Sequence, residues 1–435
     1  MWKPSVVTLT ALFCASSNTI GAYRPGDERA DLLWRQTALR IDGFTDPSGD
    51  FSTNKTFFFQ VFPTQQQPQQ AKKKLLVYFQ GGGACTDADM CNFSLQCSLG
   101  QEANVAPLAI AESTGVLNRS NPDNVFKDWD IVHIPHCSND MHAGSADSIF
   151  APDFGRPHCL GENITMHMSG YENSLSVLKW ALANYPNPAH LVIGGSSAGS
   201  LGAQILSALV ADMWKVEGSP IRFSVLADSF VGVLPKDKPA GSVVNYFGVC
   251  DVDLKLPPAV TTACKAKMMT AAELVSAAVK KIPSSNWLFI NSKADLVQRS
   301  YYAAVKDVIR FYTSGEGLLS GDESYKQQAV AILETYRSVS SRIATFFVEG
   351  DEHVLTMNDG YTNTPSDSGE KLGTSLAELL DGSASPAPAS TPAPSTGAPQ
   401  SAAPATTSET ILIGCVLDGE VIGINTMKVD GSVGI

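Results

Sequence analysis

Positive charge is scarce in this chain of 435 residues: Lys and Arg total 31 against 43 Asp and Glu, a formal net charge of -12. Binding to a phosphate backbone needs clustered Lys and Arg, so no nucleic-acid partner is expected. Past the N-terminus no apolar run is long enough to span a bilayer, so no membrane anchor is expected. No internal repeat is found, and no Gly-Lys-[Ser/Thr] follows a glycine-rich loop, which leaves out a phosphate-binding loop. Histidine is sparse, with seven in the chain, and that scarcity makes each one informative.

The first residues carry Lys3, then the apolar run "VVTLTALFCA", then small residues. This is the pattern of a secretory signal peptide over residues 1–22, with cleavage between Ala15 and Ala22. The expected location is extracellular. Export makes the eight cysteines after Cys14 candidates for disulfides. Proximity suggests Cys85 with Cys91, Cys250 with Cys264 and Cys137 with Cys159, leaving Cys97 and Cys415 over. Four N-x-S/T sequons, at Asn54, Asn92, Asn118 and Asn163, fit a secreted glycoprotein.

Composition changes sharply at residue 382. Residues 382–410 are nearly all Ser, Thr, Pro, Ala and Gly, and such a segment cannot bury a core and reads as a disordered linker. The tail 411–435 is mildly apolar, but Asp418, Glu420, Lys428 and Asp430 interrupt it, which argues against a lipid-anchor signal. Residues 23–381 therefore form the expected folded unit. Within it, "KTFFFQVF", "KKLLVYFQ", "WDIVHIPH", "HLVIGG", "FSVLAD", "NWLFIN" and "IATFFVEG" read as buried strands of a mainly parallel sheet. Helical patterns such as "YENSLSVLKWALANY" lie between them. The alternation predicts an α/β fold of the α/β-hydrolase type, with a central sheet flanked by helices. Chemistry in such folds gathers beyond the carboxyl ends of the strands.

After "HLVI" comes Gly195-Ser196-Ser197-Ala198-Gly199, a G-x-S-x-G sequence centred on Ser197. A sharp strand-to-helix turn needs small flanks, exposes the serine hydroxyl and leaves the Ala198 N–H at a helix start, facing a developing oxyanion. A serine needs a base to become a nucleophile. Only His353 lies beyond Ser197 in the chain, and it follows the last strand-like run. Two acids compete to orient it: Asp228, ending "FSVLAD", and Asp295, one strand later. Hydrolases of this type usually take the acid from the later strand, so Asp295 is preferred and Asp228 is read as a structural or pocket residue. A second oxyanion donor is expected from the early loop Gly81-Gly82-Gly83-Ala84, where glycines let the backbone approach a ligand. "HIPHCSNDMH" offers His133, His136, Cys137 and His142 as metal ligands. Its first half continues a strand, however, and no second ligand cluster supports it. It is read as a pocket-lining loop, with no metal and no cofactor expected.

In this order, "GGGACTDADMC", "PHCSNDMHAG", "LVIGGSSAG", "LADSF", "NSKADLVQ" and His353 resemble the pectin acetylesterase and Notum family. The resemblance covers about residues 75 to 353. It implies a secreted, cofactor-free serine carboxylesterase with one α/β-hydrolase-type domain. Plant and microbial members deacetylate pectin, and Notum removes a fatty acyl group from Wnt proteins. Carried over residue by residue, the nucleophile is Ser197, the acid Asp295 and the base His353, with Gly83, Ala84 and Ala198 as oxyanion donors. Gly82, Asp228, His136, Ser138 and Asp140 are candidates to line the substrate pocket. Three departures stand out. Ala84 replaces a Trp, Ser200 stands where the family prefers Gly, and the region before His353 lacks the family's cysteines. The expected partner is an acylated polysaccharide or other ester, and the chain is expected to be a monomer. The alternatives are a Notum-like lipid deacylase and a non-catalytic binding protein on a hydrolase scaffold.

Overall fold

The computed structural model describes residues 39–42, 58–64, 73–84, 86, 114–136, 140–150, 164–235, 246–321, 325–381, 409–417 and 420–429. The expected signal peptide, most of the linker and Ser138 lie outside them.

Eight strands build one mixed sheet: β1 (Leu39–Asp42), β2 (Phe58–Phe62), β3 (Lys74–Phe79), β4 (Asp130–Ile134), β7 (His190–Ser196), β8 (Arg222–Asp228), β9 (Asn286–Ser292) and β10 (Ile343–Val348). Their order is β1-β2-β4-β3-β7-β8-β9-β10. From β4 to β10 every neighbour is parallel. The run "KTFFFQVF" differs from expectation, because β2 pairs antiparallel with β4 and with β1. An apolar run reports that a strand is buried on both faces; it carries no information on direction. Two further pairs stand apart as antiparallel ladders: β5 (Ala146–Phe150) with β6 (Ile164–Met168), and β11 (Glu409–Leu417) with β12 (Glu420–Val429) in the C-terminal tail.

Alternation along the strands feeds two cores. Leu75, Val77 and Phe79 of β3 point into one apolar cluster, and Leu76 and Tyr78 into the other. The first cluster is covered by α1 (Gly170–Asn184), α2 (Ala198–Met213), α4 (Ala271–Lys281) and α6 (Lys326–Val339), and α3 (Pro258–Lys265) contributes Cys264 to it. The chain between β9 and α6 adds α5 (Leu296–Ser314). The second cluster is closed by α7 (Leu372–Asp381), whose Leu372, Leu376 and Leu379 recur at helical spacing. Helix α2 is buried at every residue from Ala198 to Ala211, as its almost wholly small and apolar sequence requires. The Cys250–Cys264 disulfide is formed, with Cα atoms 5.4 Å apart. The other proposed pairings lie outside the described residues. Among the described residues no helix is long and apolar enough to cross a membrane. Of the sequon asparagines only Asn118 is described, and its side-chain amide donates to Asp359.

The α2 helix can start where it does only because glycines flank the turn. A Cβ on Gly195 would lie 2.5 Å from the backbone of Gly199, and one on Gly199 would lie 2.1 Å from the Phe79 carbonyl oxygen. Gly199→Ala is therefore expected to cost about 1–3 kcal/mol, read as a lower urea midpoint. An unchanged midpoint would contradict this packing.

Among the described residues His133, His136, His142 and His190 are buried in or beside the sheet. Burial pushes His133 and His190 down to about 3 and His142 to about 4, and it lowers His136 well below the usual 6.5. The unfolded chain takes up protons at these rings near pH 6.5, while the folded chain resists until about pH 4 or lower. Between those values the unfolded state holds more protons, so folding stability falls as pH falls. Urea midpoints should drop from pH 7 to pH 4.5, and a midpoint that stayed level would contradict the burial of neutral imidazoles.

Candidate active site

Ser197 sits between β7 and α2 with φ 54 and ψ -122, a backbone that a non-glycine residue rarely adopts. Two features of the sheet hold it there. Its N–H donates to the Asp228 carbonyl oxygen of the neighbouring β8 at 2.8 Å, and Ser196 pairs with Asp228 in the parallel register. Ser197 stays half-buried, while Ser196 and Ser200 are buried. Ser200 accepts a hydrogen bond from the Gln204 amide one helical turn on, and Gln204 also donates to the Phe230 carbonyl. The departure at Ser200 is thus a matter of helix packing.

Asp295 is the N-cap of α5. Its Oδ1 accepts from the Gln298 N–H at 2.9 Å, and its Oδ2 from the Gln298 side-chain amide at 2.8 Å. The same carboxylate accepts from His353 Nδ1, at 2.8 Å to Oδ2 and 3.0 Å to Oδ1. Asp295 is fully buried, and the His353 side chain is 14% exposed. A proton on Nδ1 leaves Nε2 with its lone pair free. That Nε2 is buried and has no partner among the described residues. An oriented imidazole with a bare Nε2 is equipped to take a proton from a hydroxyl.

Gln298 had no role assigned from the sequence. Its signal was legible as D-x-x-Q, the spacing at which an N-cap side chain and the third helical residue meet. Here that local device also fixes the carboxylate that faces His353. Arg299 secures the same turn by donating to the carbonyls of Ala294 and Leu319.

The glycine loop runs against the serine turn. A Cβ on Gly81 would stand 2.9 Å from the Ser196 carbonyl oxygen and 3.2 Å from Ser197 Cβ. Gly83 has φ 77, and Ala84 is buried and forms a bridge with Asp140. Ala198 is the first residue of α2, where a helix leaves its N–H groups without internal acceptors, and the Ser197 side chain does not cap them. Gly81 of the glycine loop and the start of α2 therefore adjoin the serine turn, and Gly82–Ala84 follow Gly81 directly in the chain.

The pocket candidates are placed less uniformly. Gly82 stays partly exposed over His136, and a Cβ there would meet His136 Nδ1 at 2.4 Å. His136 is buried, and neither ring nitrogen has a partner among the described residues. His142 lies against it, ring centroids 4.9 Å apart, and donates from Nε2 to the Gln80 carbonyl. His133 is bonded to Gln60. Asp140 is buried and accepts from the Gly170 N–H at the start of α1 and from the His142 N–H, so its carboxylate ties loop to helix. Asp228 is fully buried as well. Both its oxygens are filled by donors from Ser229, Leu355 and Thr356, and His353 is not among them. Among the described residues no group of three or more His, Cys, Asp and Glu is placed to hold a metal ion.

Residues 62–335 match the family model described as Pectinacetylesterase. No curated protein matches the chain.

Asp295→Asn should lower turnover about 10⁴-fold, by analogy with the loss seen when the acid of a serine triad is replaced by its amide. Steady-state hydrolysis of a chromogenic acetate ester reads this. A turnover within tenfold of the unmodified enzyme would contradict the assignment.

Proposed function

The chain belongs to the Pectinacetylesterase family of carboxylic ester hydrolases, and from that membership we propose a secreted serine esterase that removes acetyl groups from pectin or a related cell-wall polysaccharide. The observation that carries the serine mechanism is the His353–Asp295 pair, with Nδ1 committed to the carboxylate and Nε2 left bare.

In this reading His353 Nε2 takes the Ser197 proton as Oγ attacks the acetyl carbonyl. The carbonyl oxygen becomes an oxyanion, which the N–H groups of Gly83, Ala84 and Ala198 receive. Asp295 holds the imidazole in the Nδ1–H tautomer and stabilises the imidazolium. The tetrahedral intermediate collapses, the sugar hydroxyl leaves with the proton from His353, and an acetyl-serine remains. Water, deprotonated by His353, attacks that ester and releases acetate, returning Ser197 to its starting state. Export is supported by the N-terminal apolar run, the sequons and the Cys250–Cys264 disulfide.

A second reading takes a longer acyl chain, as in a lipid deacylase. Ala84 favours it, because the backbone donor is kept while a large aromatic side chain is absent next to the oxyanion loop.

A panel of esters from acetate to palmitate, with acetate release from acetylated pectin measured in parallel, separates the two. The acetyl reading expects the highest kcat/KM at two carbons, free acetate from the polysaccharide, and no turnover in Ser197→Ala. A kcat/KM that climbs with chain length and no acetate from pectin would favour the lipid reading instead.

A further inference from the structure

We propose that Asp228 is a positioning residue that fastens the loop carrying His353 to the turn carrying Ser197. The inference rests on the reading of Ser197, Asp295 and His353 as the triad, and it gives the rejected acid candidate a task in the same reaction.

Asp228 acts at both of its ends. Its backbone carbonyl accepts the Ser197 N–H, which helps hold the serine in its strained conformation. Its carboxylate accepts four hydrogen bonds. Oδ1 takes the Ser229 hydroxyl at 2.8 Å and the Leu355 N–H at 3.2 Å, and Oδ2 takes the Thr356 N–H at 2.7 Å and the Thr356 hydroxyl at 2.6 Å. Three of these four come from Leu355 and Thr356, two and three residues past the base. The hydroxyls are directional in turn. Ser229 accepts the Val354 N–H at 2.9 Å while donating to Asp228, and Thr356 faces the Tyr78 hydroxyl at 3.3 Å while doing the same.

The base loop is pinned on its other side too. The Ser292 hydroxyl donates to the Glu352 carbonyl at the end of β9. His353 therefore lies between an anchor at Glu352 and a cluster of anchors at residues 354–356. Val354 has φ 64, a conformation a β-branched residue holds only when its surroundings impose it. The Thr356 carbonyl closes the arrangement by accepting the Val116 N–H. A fully buried carboxylate is expensive to desolvate unless its hydrogen bonds are made. Here every donor it meets belongs to its own turn or to the base loop. The consequence is geometric: the same residue sets the position of the nucleophile's backbone and of the base's backbone, so the gap between Ser197 Oγ and His353 Nε2 is set through Asp228.

The test uses the full chain and removes a donor while leaving Asp228 in place. Thr356→Val keeps the shape and deletes the hydroxyl, Thr356→Ser keeps the hydroxyl, and Ser229→Ala removes the other hydroxyl should Thr356→Val fail to fold. Turnover of a chromogenic acetate ester is measured with the variants folded by circular dichroism. The His353 Nδ1 proton is followed by NMR. Thr356→Val is expected to lose about 10–100-fold in kcat with KM within about twofold, the signature of a misplaced reacting group. Its Nδ1 proton resonance should shift or broaden, and Thr356→Ser should restore both readouts. Unmodified kcat in Thr356→Val and in Ser229→Ala, while Ser197→Ala is inactive, overturns this inference alone. So does an equal loss in Thr356→Ser and Thr356→Val. Activity that survives Ser197→Ala overturns the triad reading and this inference with it.

Discussion

The backbone of Ser197 is the constraint on which the site depends. A serine at φ 54 and ψ -122 is costly, by about 1–3 kcal/mol, and it persists only where neighbours leave no alternative. Those neighbours are on both sides. On one, β7 lies flush against β3, and Gly195 and Gly199 admit the Phe79 carbonyl where any side chain would collide. On the other, β8 supplies the carbonyl that takes the Ser197 N–H. Helix α2, buried from Ala198 to Ala211, then follows directly from the turn. The parallel sheet is therefore more than a scaffold: its register fixes the strain, and the strain lifts the hydroxyl above the carboxyl edge of the strands.

The side chains around that turn divide into those that are saturated and those that are not. Asp295, Asp228 and Asp140 are carboxylates without solvent exposure, and each is tied to backbone or side-chain donors that fix a turn, a loop or a helix start. His353 Nε2 and both ring nitrogens of His136 are buried and lack partners among the described residues. Leaving a buried polar atom unmatched costs about 1–3 kcal/mol, so such atoms are worth keeping only where something else completes them. Around His353 the proposed reaction supplies that completion, as Nε2 takes and returns a proton. Asp295 shows how economically the frame is built, since one carboxylate caps α5 and orients the imidazole.

Much of this was legible in the sequence for local reasons. The buried strands show as unbroken apolar runs, and the turn at Ser197 shows as small residues between a strand and a helix. His353 stood out because no other histidine follows Ser197, and Asp295 because it lies just past the next strand but one after the nucleophile turn. What stayed hidden is non-local. The antiparallel pairing of β2 is not encoded in its composition. The partners of Asp228 in the base loop lie 127 and 128 residues away, and nothing in "FSVLAD" signals them. The loop read as pocket-lining holds Asp140 tied into the helix start and His136 beneath Gly82, which only the tertiary packing decides.

The central claim is that Ser197 is the residue activated by His353 and Asp295. Labelling the intact protein with a fluorophosphonate and mapping the adduct by peptide mass spectrometry tests it most directly. The account predicts one adduct, on Ser197, formed at a rate that collapses in His353→Ala. An adduct on Ser196, labelling that is indifferent to His353, or no labelling of an otherwise active esterase would contradict it.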